Sequence, residues 1–468
     1  MDTLQHEVAR KSDKDDSCRD AAQMTDAAQV ISGSAGLLCG KRAPHTQLAR
    51  WLNPNPKKAL LAACWVLLVL WCIWWGVSFH HQTLQAGKHL WFSPAFGVDF
   101  YYHVDFPARI WWNGEDPYAN KEHFFPYPPS EMRLFAWVNL MTPRAALMVW
   151  LIVMTTIIVA AAWAASRWRR RLSLGEIPPL AAVVLILFST PVLFALERGQ
   201  YDPLSLLFIL AALPLLNYQS KWAQFLAGAV LCLAPWAKVY PGLIFVGLLG
   251  LRRWRALASF VAVGIVIAIA FLYSGEIQRF LVNNALHIQM AENLALFASG
   301  DPCPWNHSLT LMGLWFGVQP GWLGLLFGKV IAAALLLPPL VWVTYHVYRC
   351  PARDTLTYPY LLWIVALATF VPPISNDYNL CFLPLAVLAV WDRRDPLLVH
   401  VAIVLLFIWW QPVGMAIGGK PLLLVKFIGL GAIAICLVER ACEQSRLVAV
   451  NGERDSDYCK KHQLLVKE

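Results

Sequence analysis

The sequence predicts an all-α protein: a polytopic bundle of about twelve transmembrane helices with both termini cytoplasmic. Three observations predict it. Hydrophobic residues make up 58% of the 468 and charged residues only 14%, against roughly 25% charged in an ordinary soluble domain. Apolar runs long enough to cross a bilayer core of about 30 Å recur along the chain, most clearly Leu60–Gly76, Leu180–Leu196, Leu257–Tyr273, Leu323–Tyr345 and Leu422–Val438. These runs lack the period-two alternation of barrel strands, so helices must satisfy their backbone in lipid.

The first 56 residues are polar and of mixed charge, as in Lys11-Ser12-Asp13-Lys14-Asp15-Asp16. They read as a disordered cytoplasmic tail and not as a cleavable signal peptide. A transmembrane domain over residues 57–440 follows, and residues 441–468 form a second cytoplasmic tail. Basic clusters mark the cytoplasmic side: Lys57 with Lys58, Arg167–Arg171, Arg252–Arg255, Arg349 with Arg353, Arg393-Arg394, and Arg440 with Arg446. An even number of crossings must separate each pair of clusters.

Leu60–Gly76 leaves the cytoplasm, residues 77–131 form an outer loop, and Leu134–Ala165 returns. Four crossings fit between Arg171 and Arg252: Pro178–Leu196, Leu204–Leu216, Trp222–Trp236 and Val239–Leu251. The last three, about 20–23 Å long, are too short to span alone and point to a site within the membrane boundary. Leu257–Tyr273 then goes out, residues 274–321 form a second outer loop, and Trp322–Tyr345 returns. Two hairpins close the chain, Leu361–Phe370 with Leu380–Val390 and Leu397–Trp410 with Leu422–Val438.

The net charge of +9 sits in clusters beside apolar runs, the pattern of topology signals and not of nucleic-acid binding. The 11 cysteines show no metal-ligand spacing, and only Cys303 falls in an outer loop, so a disulfide framework is not expected.

The first outer loop carries the chemistry. It reads Gly97-Val98-Asp99-Phe100-Tyr101-Tyr102-His103-Val104-Asp105, then Asn113-Gly114-Glu115-Asp116-Pro117-Tyr118, then Phe124-Phe125-Pro126-Tyr127-Pro128-Pro129, with Trp91, Trp111 and Trp112 interleaved. Aromatic faces stack on sugar rings and carboxylates accept hydrogen bonds from hydroxyls. The plainer alternative is an interfacial aromatic belt. Asp99 and Asp105 are candidate acids, but such carboxylates are often solvated or paired, here with a residue such as Arg109. Other junctions set polar groups among apolar ones: Glu197-Arg198-Gly199-Gln200-Tyr201-Asp202, Lys238-Val239-Tyr240-Pro241, Asn306-His307-Ser308 and Ser375-Asn376-Asp377-Tyr378. Ionisable groups at membrane depth are costly and therefore functional candidates. Lys238 stands out between two short apolar helices, although a snorkelling or salt-bridged lysine fits as well. Convergence of these turns would ring a cavity with Asp99, Arg198, Lys238, Asn306 and Asp377.

Taken together, these motifs resemble glycosyltransferase family 87, mannosyltransferase-like multi-pass enzymes of the GT-C class, over roughly Leu60 to Val438. The resemblance rests on Gly-Val-Asp-Phe-Tyr-Tyr at 97–102, Gly114–Tyr118, Phe125–Pro129, Gly199-Gln200-Tyr201-Asp202-Pro203, Lys238–Pro241 with the basic turn Arg252–Arg255, Asn306-His307-Ser308 and Pro373–Tyr378. His307 stands where the family pattern has glutamine, and Trp236 replaces the usual smaller context of Lys238.

The resemblance implies a GT-C-type bundle in a cell membrane, a bacterial inner membrane. It further implies transfer of a hexosyl group, typically mannosyl, from a polyprenyl-phosphate sugar to a glycolipid or glycan acceptor on the outer face. It makes Asp99 the catalytic carboxylate. The residue types fit such chemistry without a metal or cofactor. Lys238 and Arg198 would hold the departing phosphate, and Asp99 would take the proton of the attacking hydroxyl. Tyr101, Tyr127, Gln200, Asn306, His307 and Asp377 are the expected substrate contacts. A transporter or flippase of lipid-linked sugars would share these features, but it should also show pseudo-repeats, and the two halves show none.

Overall fold

The computed structural model describes residues 56–84, 96–119, 125–218, 220–293, 308–311, 322–372, 375, 377–397, 399–400 and 419–465. The chain divides into two units, Met1–Ala59 and Leu60–Glu468. Apart from Pro56, the predicted polar tail lies outside the described residues, as do Trp91, Cys303, Asn306 and His307 and nearly all of the predicted crossing Leu397–Trp410.

The described residues are helical and hold no strand. Helix α1 (Pro56–Leu84) contains the first predicted crossing. The next described segment opens with α2 (Val98–Phe100), a π-helical turn (Tyr101–Asp105) and α3 (Phe106–Trp112), then α4 (Ser130–Leu134) leads into α5 (Pro143–Arg171). Helices α6 (Pro179–Leu187), α7 (Thr190–Arg198), α8 (Leu204–Asn217), α9 (Lys221–Ala237), α10 (Ile244–Gly250) and α11 (Trp254–Tyr273) follow. The chain continues with α12 (Glu276–Asn293), α13 (Trp322–Arg349), α14 (Thr357–Ala368), α15 (Phe382–Val390) and α16 (Gly419–Leu465).

Among the described residues α5, α11 and Leu326–Arg349 of α13 are long and apolar enough to cross a membrane, with the bent pair α6–α7 as a fourth. This is fewer than the twelve crossings predicted, because several predicted spans are short helices, α8, α10, α14 and α15 among them. Only 17% of the apolar window of α11 is buried. Its exposed Val261, Ile265, Val266 and Ile269 form a face suited to lipid, since a water-facing surface does not carry such a stripe. By contrast, every residue of α14 and α15 is buried, so these short helices form the centre of the bundle.

Three predicted segments differ in form. The crossing Pro178–Leu196 is two helices bent by 63°. Pro191, which has no N–H and clashes with the preceding turn, ends the first helix and sits at the start of the second. The second outer loop holds the 18-residue helix α12, whose mixed apolar and polar sequence packs on the first loop. At the other end, α16 runs without a break through residue 440 to Leu465, across the predicted start of the C-terminal tail.

The basic clusters from Arg167–Arg171 onward, predicted to share a side, do meet. The Trp168 indole N–H donates to the Thr355 carbonyl, and Arg169 donates to the carbonyls of Leu388 and Trp391. Arg253 pairs with Asp354 at 2.8 Å, Arg353 donates to the Leu251 carbonyl at 3.1 Å, and Arg440 pairs with Asp395. The two predicted outer segments also meet. Arg133 pairs with Glu276 at 2.9 Å, Arg279 with Asp116 at 2.8 Å, and the Asn283 amide donates to the Tyr118 carbonyl at 3.2 Å. Helix α5 joins the two ends: Leu147 and Trp150 near its start touch Gly97 and Gly199, and Arg169 lies near its finish.

Candidate active site

Two glycines bring the principal residues together. Gly97 and Gly199 both have φ of +70°, a left-handed backbone that costs glycine little and other residues more. Gly199 ends α7 as its C-terminal cap. A Cβ on it would lie 2.7 Å from the Phe100 Cβ and 3.4 Å from the Gly97 Cα, so the two turns touch backbone to backbone. The Gly97 N–H donates to the Glu197 carbonyl at 2.8 Å, and the Trp150 indole N–H donates to the Gly199 carbonyl at 2.9 Å. This contact sets Asp99, two residues after one glycine, against Arg198 and Gln200, the neighbours of the other.

The helix carrying Asp99 is itself irregular. Pro107 cannot donate to the carbonyl one turn back, and the ladder widens just before it, where the Phe106 N–H bonds the Tyr101 carbonyl. Such π turns recur at functional sites. Lys238 is placed by the end of α9. Its backbone is extended (φ −153°, ψ 130°), as Pro241 three residues on begins a separate turn. From there the side chain reaches the 200–202 turn.

The resulting polar chain is continuous, and all of it but the partly exposed Arg198 and Tyr240 is buried. Arg198 donates from Nε and Nη2 to the two Asp99 carboxylate oxygens. The Gln200 amide donates to Asp99 Oδ2, and its oxygen lies 3.5 Å from Lys238 Nζ. Lys238 pairs with Asp202 at 2.7 Å, and the Tyr240 hydroxyl donates to the other Asp202 oxygen. Rings of Tyr201, Tyr240 and Tyr127 stand 5.0, 5.5 and 5.8 Å from the ammonium, within cation–π range. Charges so desolvated persist only when paired. Burial alone would raise the Asp99 pKa, but the Arg198 charge and hydrogen bond, with help from His103 and Gln200, hold it below the usual carboxylate range.

The sequence candidates divide as follows. Asp99, Arg198, Gln200 and Lys238 come together, and Tyr127 packs edge-on against Tyr201 at 5.1 Å. Tyr101 instead packs on Phe100 at 5.6 Å. Asp105 pairs with Arg109 at 2.8 Å, and Arg109 also donates to the carbonyls of Val138 and Met141, so that pair braces the loop. Asp377 begins a turn, Asp377–Cys381, that packs against α7. The residues just after Asn306 and His307 are tied to the end of α14, where the Leu309 N–H donates to the Phe370 carbonyl at 2.9 Å.

Sequence reasoning missed Asp202, Tyr240 and Glu131 as members of the site. Asp202 and Tyr240 lie within quoted motifs, and the need of a buried lysine for a counter-ion was the available signal. In the sequence Glu131 is only the last residue of the outer loop 77–131. It is fully buried, and its Oε2 accepts from the Tyr201 hydroxyl at 3.3 Å. Oε1 meets no hydrogen-bond partner among the described residues. Burial pushes this carboxyl well above the ordinary glutamate pKa, only partly offset by the Lys238 charge and the Tyr201 bond.

A carboxylate, a guanidinium and an ammonium within one buried network, at the end of apolar helices, can bind an anion and accept a proton. Comparison with known proteins identifies neither a matching curated protein nor a matching solved structure. A family model does match, over residues 124–373. That stretch holds Arg198, Gln200 and Lys238 and begins after Asp99. It covers more than half of the sequence, and with these apolar helices it makes the chain a membrane glycosyltransferase: the protein belongs to glycosyltransferase family 87.

Proposed function

We propose that the protein transfers a hexosyl residue, mannosyl by preference, from a polyprenyl-phosphate sugar to a glycolipid or glycan acceptor, with Asp99 as general base. The observation that carries this reading is the largely buried chain Arg198–Asp99–Gln200–Lys238–Asp202. It sets a proton acceptor beside two cations of the kind that hold a phosphate.

The donor is a phosphodiester, and the departing lipid phosphate is a stable anion that needs positive charge nearby more than a proton. Arg198 and Lys238 supply that charge as preorganised groups. As the anomeric carbon–oxygen bond to phosphate breaks, its electron pair leaves with the phosphate. The acceptor oxygen forms the new bond from the opposite face, which inverts the anomeric carbon, and its proton passes to Asp99. In the resting protein Asp99 is occupied by Arg198. Phosphate competes for that guanidinium, so donor binding loosens the pair and raises the proton affinity of Asp99 when the base is required. The acceptor fits an open cleft lined by Trp111, Asp116, Tyr118, Glu276 and Arg279, where an aromatic side chain and carboxylates suit a sugar.

Membranes carrying the wild type or Asp99→Asn, given radiolabelled polyprenyl-phosphate mannose, test the assignment. Loss of a positioned general base lowers transfer by roughly 10²–10⁴-fold. Equal transfer by a correctly inserted variant removes Asp99 from the role.

A further inference from the structure

Glu131 is a buried acid that the proposed chemistry does not use. It lies on α4, the short helix between the first outer segment and α5. Ser130 beside it donates to the Trp236 carbonyl near the end of α9, which fastens α4 next to Lys238. Glu131 is completely inaccessible, yet no cation lies in hydrogen-bond contact with it among the described residues, and one of its oxygens is unpartnered. A buried ionised carboxylate without a direct counter-ion is far costlier than a buried carboxylic acid.

The titratable groups facing it come from three other elements. Lys238 follows α9, Tyr201 sits in the turn between α7 and α8, and Tyr118 lies in the turn Pro117–Ala119. On α4 itself Arg133 is turned to Glu276. On α3, which packs against α4, Arg109 is committed to Asp105 and to two carbonyls. Lys238 is therefore the charged group that feels the state of Glu131.

We propose that Glu131 is a positioning residue for donor binding: while it carries its proton it adds no negative charge beside Lys238, and its ionisation turns the anion-binding site against phosphate. The inference rests on the transferase reading for its substrate, and it deepens that reading by giving the same site a proton-controlled affinity. The sign follows from the burial. Buried without a direct counter-ion, Glu131 keeps its proton to higher pH than an ordinary glutamate, and ionises only as the pH rises past its elevated pKa. A new anion then lies against the Tyr201 hydroxyl, whose ring stands 5.0 Å from the ammonium, and the site loses attraction for the donor phosphate. The maximal rate belongs to Asp99 and the bound complex, so the effect falls mainly on the donor KM.

The test is the pH dependence of kcat and donor KM for polyprenyl-phosphate mannose, with full-length protein in lipid nanodiscs. The wild-type donor KM should climb on the alkaline side by up to about tenfold per pH unit. Glu131→Gln, which cannot ionise, should lose that rise, and Glu131→Asp should keep one at a displaced pH. An alkaline rise in Glu131→Gln equal to that of the wild type overturns the proposal. Infrared spectra of wild-type protein with ¹³C-labelled glutamate cover the case in which Glu131→Gln does not fold. A protonated carboxyl band should survive well above the ordinary glutamate range, and its absence overturns the proposal without reference to any variant. An active Asp99→Asn would instead defeat the transferase assignment and leave the infrared result standing, so the two failures are separable.

Discussion

At the scale of single residues, the site depends on two positions with no side chain. Gly199 has a left-handed backbone and touches Phe100 and Gly97. Gly199→Ala should cost about 1–3 kcal/mol in backbone strain, and the 2.7 Å approach of its Cβ to Phe100 should push Asp99 from Arg198. The expected outcome is a folded but less heat-stable protein with strongly reduced transfer, measured by thermal unfolding in detergent beside the membrane assay. An alanine variant of unchanged activity would mean that the touching turns do not set the carboxylate. Asp99, Arg198, Gln200 and Lys238 were legible in the sequence because charged and polar groups beside apolar runs are conspicuous. Glu131 was not, because Ser130-Glu131-Met132-Arg133 reads as ordinary loop ending, and only packing reveals that the acid points inward. Tyr101, two residues after the acid, packs its ring on Phe100, a contact that the motif does not reveal.

At the scale of elements, the prolines and the ion pairs decide the shapes. Pro191 breaks a crossing that hydropathy alone presents as continuous, since an apolar run reports burial in lipid but not a bend. The same break lets α7 end on Gly199 beside the first segment. Helix α12 was read as loop because its sequence mixes apolar and polar residues, and such a helix lies on other elements instead of spanning. Its hold on the first segment combines the ion pairs of Arg279 with Asp116 and Arg133 with Glu276, the Asn283–Tyr118 hydrogen bond and the Phe280 ring against Tyr118. These pairs are partly exposed, and each is worth at most about 1 kcal/mol. Arg279→Glu should raise the acceptor KM by about two- to fivefold, and adding Asp116→Arg should restore it. A double variant no better than the single would deny that the clasp shapes the cleft.

At the scale of the whole molecule, the sequence bookkeeping of charges has a spatial counterpart. Clusters from Arg169 to Arg440 meet at one end, and the predicted outer segments meet at the other. That grouping was legible because topology signals act on each hairpin separately. The number of true crossings was not, because short apolar runs such as α14 and α15 are equally apolar whether they face lipid or lie wholly inside protein. The predicted sidedness can be measured with an impermeant maleimide on chains bearing a single cysteine. Glu115→Cys should react from the non-cytoplasmic side and Glu176→Cys from the cytoplasmic side, both positions being exposed. Reaction of both from the same side would overturn the topology.

The bond from the Gly97 N–H to the Glu197 carbonyl also has a consequence for biosynthesis. Asp99 leaves the ribosome about a hundred residues ahead of Arg198, and at about 5–20 residues per second that interval is of the order of ten seconds. Throughout it the nascent chain carries an acid at the membrane boundary whose guanidinium partner does not yet exist. The carboxylate must wait hydrated, and it is drawn in only when the helix ending at Gly199 arrives to cover it. Assembly of the Asp99–Arg198 pair therefore waits on the helix that ends at Gly199, and a nascent chain arrested before residue 198 has no partner for its carboxylate.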